Sequence, residues 1–181
     1  MLQITIPPIE MWDESKEEFI EFKGQTLQLE HSLVSLSKWE SKWCKPFFSR
    51  HEKTDEEMID YIKCMTLTKN VKDDIYYRLT EYNVEQIKNY IDAPMTATRF
   101  SDDKGGKSSS EGITSELIYY WMIALNIPFD PCQKWHINRL LTLVKICSKK
   151  NQPEKKRSAR DTMSRNKSLN AARRKQLKTR G

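Results

Sequence analysis

SELIYYWMIALNIPFDPCQKWHINRLLTLVKIC, residues 115–147, holds more hydrophobic surface than any other stretch of this chain. Leu117, Ile118, Tyr119, Tyr120, Trp121, Met122, Ile123, Ala124 and Leu125 are apolar or aromatic whichever way a helix turns. A helix with no polar face is surrounded by protein, as a central core helix or an oligomer contact. Ser115 reads as its N-cap with Glu116 in the first turn, and Asn126 as its end. Asp130 followed by Pro131 reads as the start of a second helix. That helix is expected to turn Trp135, Leu140, Leu141, Val144 and Cys147 inward. Lys134, Asn138, Arg139 and Lys145 are left to face outward. A loop of four or five residues would then join the two as a helical hairpin.

Upstream the period changes. Leu2, Ile4 and Ile6 alternate with polar residues until Pro7-Pro8, which predicts a half-buried strand. Asp13–Lys16 reads as a turn, Phe19, Ile20 and Phe22 as a second strand, and Gly24 as another turn. Thr26 to Leu33 alternates again, with Leu27, Leu29, His31 and Leu33 on one side. Residues 1–34 are therefore expected to form a small antiparallel meander, too small to stand without helices against it.

From Ser35 onward the apolar spacing is helical. Leu36, Trp39, Trp43 and Cys44 share a face, and Pro46 ends the helix near Cys44. Trp39 and Trp43 are neighbours at i,i+4. Ordinary core packing is the first reading of the pair; an aromatic partner-binding patch is the other. Thr54-Asp55-Glu56-Glu57 has the form of a capping box ahead of Met58, Ile59, Ile62 and Met65. A short helix is expected between Val71 and Leu79. Another follows an Asn83/Gln86 cap and ends before Pro94. Residues 101–112, SDDKGGKSSSEG, read as a loop that Ala97–Phe100 and Gly112–Thr114 would close as a hairpin. The loop lacks the spacing of a phosphate-binding loop.

The net charge of +6 is an average of two opposite halves. Residues 148–181 carry 13 Lys and Arg against two acids, a balance of +11. Residues 1–147 carry 18 basic and 23 acidic residues, a balance of −5. Pro153 and the loss of apolar periodicity mark 148–181 as a basic tail, extended or partly helical, suited to an anionic or acidic partner. The tail has no interleaved aromatics for base stacking.

Cys44, Cys64, Cys132 and Cys147 form no CxxC pair, which fits a reduced setting. Met1 leads directly into a strand pattern and not a signal peptide. No apolar run reaches the ~18 residues of a membrane span. Cys132 and His136 have the spacing of two zinc ligands on one helix, but no second pair accompanies them. No nucleophile–base set or paired catalytic carboxylates stand out, so neither an enzyme nor a cofactor is expected. The fold class is α+β and mostly α. It comprises the meander (1–34), a helical domain (35–147) with its core hairpin at 115–147, and the basic tail (148–181).

Three stretches together resemble a known family: HSLVSLSKWESKWCKPFFS (31–49), ITSELIYYWMIALNIPFDPCQKWHINRLLTLVKIC (113–147) and the ending SRNKSLNAARRKQLKTRG (164–181). Their layout is similar to tail-module proteins of long-tailed bacteriophages that infect Gram-positive hosts, in particular the tail assembly chaperones. The resemblance implies a non-enzymatic protein of the host cytoplasm or the virion. It would bind the tape measure protein, help tail-tube subunits assemble, and act in several copies. A virion structural subunit and a nucleic-acid-binding protein acting through the tail are the alternatives. Candidate partner-binding residues are Trp39, Trp43, Tyr119, Tyr120 and Trp121, with Arg173, Arg174 and Lys175 in the tail.

Overall fold

A computed structural model describes residues 1–15, 17–49, 52–100, 112–151 and 159–177. The fold is mostly helical, with an antiparallel β element at the N-terminus packed on helices. Strands β1 (Leu2–Ile6), β2 (Ile9–Asp13), β3 (Glu18–Phe22) and β4 (Gln25–Leu29) pair as β1 with β4 and β2 with β3. Leu2 faces Leu29, Ile6 faces Gln25, Ile9 faces Phe22 and Asp13 faces Glu18. Every pair of residue numbers adds to 31, so both sheets belong to one long hairpin with a single register.

The hairpin is interrupted where Pro7-Pro8 lies opposite Lys23-Gly24. Proline has no N–H to give the ladder. The chain approaches itself closely here. A Cβ on Gly24 would fall 2.7 Å from the Ile6 carbonyl oxygen and 2.9 Å from the Pro8 nitrogen. Pro7-Pro8 ends β1 as expected but does not end strand structure, because β2 follows directly at Ile9. Leu33, expected in a strand, instead opens the first helix, because Ser32 caps it and shares a reciprocal capping box with Ser35.

The helices are α1 (Leu33–Trp43), α2 (Asp55–Met65), α3 (Asp74–Tyr77), α4 (Glu81–Asp92), α5 (Ser115–Ala124), α6 (Phe129–Cys132), α7 (Ile137–Asn151) and α8 (Ala159–Leu177). The Thr54/Glu57 capping box forms as its spacing predicts, with Glu57 N–H donating to Thr54 Oγ1 at 3.2 Å and Thr54 N–H to Glu57 Oε2 at 3.0 Å. For α4 the cap is Thr80 and Asn83 is its third helical residue, three positions earlier than the expected Asn83/Gln86 arrangement. For α5 the cap is Thr114, one residue earlier than Ser115. The stretches 97–100 and 112–114 contain no strand, and the tip between them lies outside the described residues.

The chain divides into two compact units, Met1–Cys147 and Ser148–Gly181. In the first, the core gathers Ile4, Ile6, Leu27 and Leu29 from the hairpin. Leu33, Leu36 and Trp39 join them from α1, Tyr61 and Met65 from α2, and Ile87 from α4. Ile118 and Met122 of α5 and Ile137 and Leu140 of α7 complete it. Each buried Leu or Ile contributes roughly 1.5–3 kcal/mol. The outer edge of β4 is also covered: Leu67 N–H donates to Gln28 O at 2.8 Å, Glu30 N–H to Met65 O at 2.9 Å.

One buried carboxylate ties the helices together. Glu40 is 7 % exposed. Its Oε1 accepts from Phe47 N–H and its Oε2 from Ser115 N–H, both at 2.7 Å. Ser115 opens α5, so the carboxylate sits at a helix N-terminus, where orphan amides and the helix dipole favour an anion. This clamp fixes α5 against α1.

The expected two-helix hairpin is built differently in its second half. Asp130 has φ −98° and ψ 128°, which is not helical, and the one-turn α6 surrounds it. The long helix α7 starts only at Ile137, after Ser32 and His136 form an isolated bridge. Asn138, expected outward, points inward. Its Nδ2 donates to Ile91 O at 3.0 Å and Ala93 O at 2.9 Å, which closes the C-terminal end of α4. Trp135, expected inward, is half-buried beneath the Arg139 guanidinium, 4.0 Å from its ring centre.

Candidate interaction surfaces

Helix α5 carries an apolar stripe on its outside. Ser115, Ile118 and Met122 are its buried positions. Tyr119 and Trp121 are half-buried flanks. Leu117, Tyr120 and Ile123, at spacings of three, remain 36 %, 62 % and 64 % exposed. Phe129, 43 % exposed, meets the half-buried Tyr119 edge to face at 5.4 Å. A surface helix of a self-contained domain turns polar residues outward. This one keeps a second apolar face after its core face is satisfied.

The tryptophan pair of α1 lies elsewhere. Trp39 is 1 % exposed, and its indole N–H donates to Glu57 O at 2.8 Å. Trp43 is half-buried, with its N–H donating to Asp60 Oδ2 at 2.9 Å. Both polar handles are used to hold α1 on α2, and Trp39 has no free face to offer a partner.

In the outer half of the hairpin, β3 (Glu18–Phe22) stands where Phe19, Ile20 and Phe22 predict a strand, whereas its partner β2 (Ile9–Asp13) was not expected. Ile9, Met11, Trp12 and Phe19 are between 45 % and 69 % exposed. Residues directly opposite in an antiparallel pair share a face. Ile9/Phe22 and Met11/Ile20 therefore lie on one side, and Glu10/Glu21 and Trp12/Phe19 on the other. Trp12 and Phe19 touch edge to face, with ring centres 5.0 Å apart. In the inner half the core-facing residues of the first strand are even-numbered; in the outer half Ile9 and Met11 are odd. Trp12 keeps the even phase, so beyond Pro7-Pro8 both faces carry apolar side chains. Arg78 grips the root of this arm, with its guanidinium donating to Phe22 O at 3.4 Å and Lys23 O at 3.1 Å.

The arm is also where the charge sits. Residues 9–22 hold six acids and one lysine, a balance of −5. Without them, residues 1–147 hold 17 acids and 17 bases and balance to zero. The whole net charge of the first unit is concentrated in this arm.

Below the hairpin lies a ring cluster. His31 Nδ1 hydrogen-bonds the Tyr61 hydroxyl, and the His31 and His136 rings meet edge to face at 5.0 Å. His136 Nδ1 accepts from Asn138 N–H at 3.3 Å, so its Nε2 carries the hydrogen and donates to Tyr90 O at 2.9 Å. Tyr90 OH donates to Glu30 Oε1 at 2.6 Å, and Glu30 Oε2 pairs with the N-terminal ammonium at 2.9 Å. Burial, helped by the neighbouring His136, holds His31 down to about 3. Burial likewise lowers His136 and raises the Tyr61 and Tyr90 hydroxyls. The two histidines are thus neutral packing groups, with His31 held through Nδ1 and His136 through both ring nitrogens. Cys132 ends α6 and His136 lies in the bridge ahead of α7, so they do not share one helix, and Cys132 is 4 % exposed. Among the described residues no group of three or more His, Cys, Asp or Glu is placed to hold a metal ion. No described helix is long and apolar enough to cross a membrane.

The chain matches no known family model, no curated protein and no solved structure. Its surfaces must therefore be read on their own chemistry.

In the second unit, α8 is a 19-residue helix, more regular than an extended tail. Its side chains from Met163 to Leu177 are exposed, including Arg173, Arg174 and Lys175. Lys167 and Arg174 lie two turns apart on one face, with Ala171 between them and Lys175 beside them. The helix holds six bases and one acid, a balance of +5.

Proposed function

We propose that this protein is a non-enzymatic binding protein of phage tail morphogenesis, a tail assembly chaperone that shields apolar faces of the tape measure protein. The observation that carries the reading is the outward stripe Leu117, Tyr120 and Ile123 on α5. Such spacing fits the apolar face of a partner helix laid alongside, as in other helix-in-groove contacts. A long helical partner has many such faces, so several copies would bind it by avidity. The Glu40 clamp on Ser115 N–H supports this, because a rigidly held helix loses little entropy on binding.

The test is co-expression of the full chain with a long helical tape measure protein, followed by solubility measurement and pull-down. The wild type is expected to keep the partner soluble and to co-purify with it. Tyr120→Ser with Ile123→Ser is expected to lose co-purification while its thermal midpoint stays unchanged. Equal recovery of the partner with both proteins would remove the reading. A second reading, a structural subunit of the virion, is favoured by the projecting aromatic arm. Mass spectrometry of purified particles separates the two, since a subunit is present at stoichiometric copy number.

A further inference from the structure

The arm at residues 9–22 has two properties that do not belong together on an idle surface. It exposes aromatic and aliphatic side chains on both faces, and it concentrates a charge of −5. A two-stranded ribbon is marginal alone and gains from a covering element. That element is not another arm, because two such arms would bring ten acids in excess against each other, and like charges across a contact are destabilising. It must be basic, and it must offer aliphatic surface for Trp12 and Phe19. One described segment has this chemistry. Helix α8 carries +5 and exposes Met163, Leu169 and Leu177 among its bases. The helix is long enough to span the ribbon: five paired residues extend about 17 Å, and 19 helical residues about 28 Å.

We propose that the arm is a self-assembly element, and that it docks on the basic helix of a second copy of this chain. A contact of this kind is heterologous, since each copy uses one surface as donor and a different one as acceptor. Repetition then gives a ring or an open string of copies, not a closed two-fold dimer. Charge would steer the encounter and make it salt-sensitive. This contact does not depend on the identity of any other partner. It concerns only how copies of this chain meet.

Sedimentation velocity of the full-length, nuclease-treated protein over a range of concentrations tests it. The wild type is expected to form oligomers that grow with concentration at low salt and dissociate at high salt. Glu10 and Glu21 face each other across the ribbon and are both exposed, as are Arg173, Arg174 and Lys175. None of these changes should disturb folding, which circular dichroism checks. Glu10→Lys with Glu21→Lys should weaken self-association about tenfold or more, and so should Arg173→Glu, Arg174→Glu and Lys175→Glu together. Combining both sets swaps the charges and should restore association. A wild type that sediments as a monomer at every concentration overturns the proposal, as does a combined variant that fails to recover. So does association lost on tail reversal but indifferent to arm reversal. That result would mean the helix binds elsewhere, including on nucleic acid carried through purification.

Discussion

The two halves of the N-terminal hairpin share one register and equal strand lengths, yet they live in different environments. The inner half, β1 with β4, puts Ile4, Ile6, Leu27 and Leu29 at 2 % exposure or less. The outer half, β2 with β3, leaves Ile9, Met11, Trp12 and Phe19 in solvent. Backbone pairing is the same in both, so it cannot be what separates them. The difference is what lies on the far side. The inner half has α1, α2 and α4 against its apolar face, and Thr66–Thr68 along the edge of β4. The outer half is held at its root by Arg78. The loss of strict apolar alternation beyond Pro7-Pro8 is the sequence's record of that change of neighbour.

The comparison can be broken most severely from the inside. Leu29→Ala is expected to cost about 3 kcal/mol, because it leaves a cavity among fully buried neighbours. A urea unfolding curve reads this as a lower midpoint with an unchanged slope. At the junction, Gly24→Ala is expected to cost about 2 kcal/mol, since the new methyl meets backbone atoms and not a movable side chain. The same titration measures it, and a loss under 0.5 kcal/mol would show that the two halves are not held as closely as the 2.7 Å approach requires.

Acidity sharpens the contrast. His31 follows the inner half directly and is held neutral, down to about 3 from 6.5. The unfolded chain takes up the proton that the folded chain refuses. Stability is therefore fully present above about pH 6.5 and is lost as pH falls from there toward 3, by about 1.4 kcal/mol per pH unit for this ring. His136, lowered in the same direction, adds to the slope. Unfolding midpoints measured from pH 7 to 4 check the sign, and His31→Phe should flatten the dependence whatever it does to the baseline. The smallest effect belongs to the outer half. Trp12→Ser is expected to change stability by less than about 0.5 kcal/mol, as exposed substitutions do. A larger loss would mean that the arm is part of the cooperative core.

The parts of the fold that were legible from sequence are those where one residue does one job. Thr54 and Glu57 announce a helix start because a hydroxyl and a carboxylate at that spacing satisfy two orphan amides. Pro46 and Pro94 announce ends because they cannot continue a helix. The misplaced starts have a shared cause. Thr80 and Asn83 are both capping types, as are Thr114 and Ser115, and local spacing does not say which one the tertiary contacts select. Asp130-Pro131 reads as a helix start, but the bridge between Ser32 and His136 pins the chain further on. The sequence marked α5 as core or contact and named Tyr120, but not Leu117 or Ile123, because periodicity cannot tell faces apart where every position is apolar. Which face is core depends on Glu40 gripping Ser115 N–H from 75 residues away. Strand β2, and with it the arm, was hidden because Trp12 blurs the alternation and two prolines look like an end.

The register that adds to 31 on both sides of Pro7-Pro8 makes the arm's length an independent dimension of this protein. One residue pair added to each strand near the tip moves the turn outward by about 7 Å, and every residue of the inner half keeps its partner. Gly24 and the prolines mark the zero of that scale. Reach can thus be drawn out or shortened in evolution, or at the bench, without asking anything of the core that carries it.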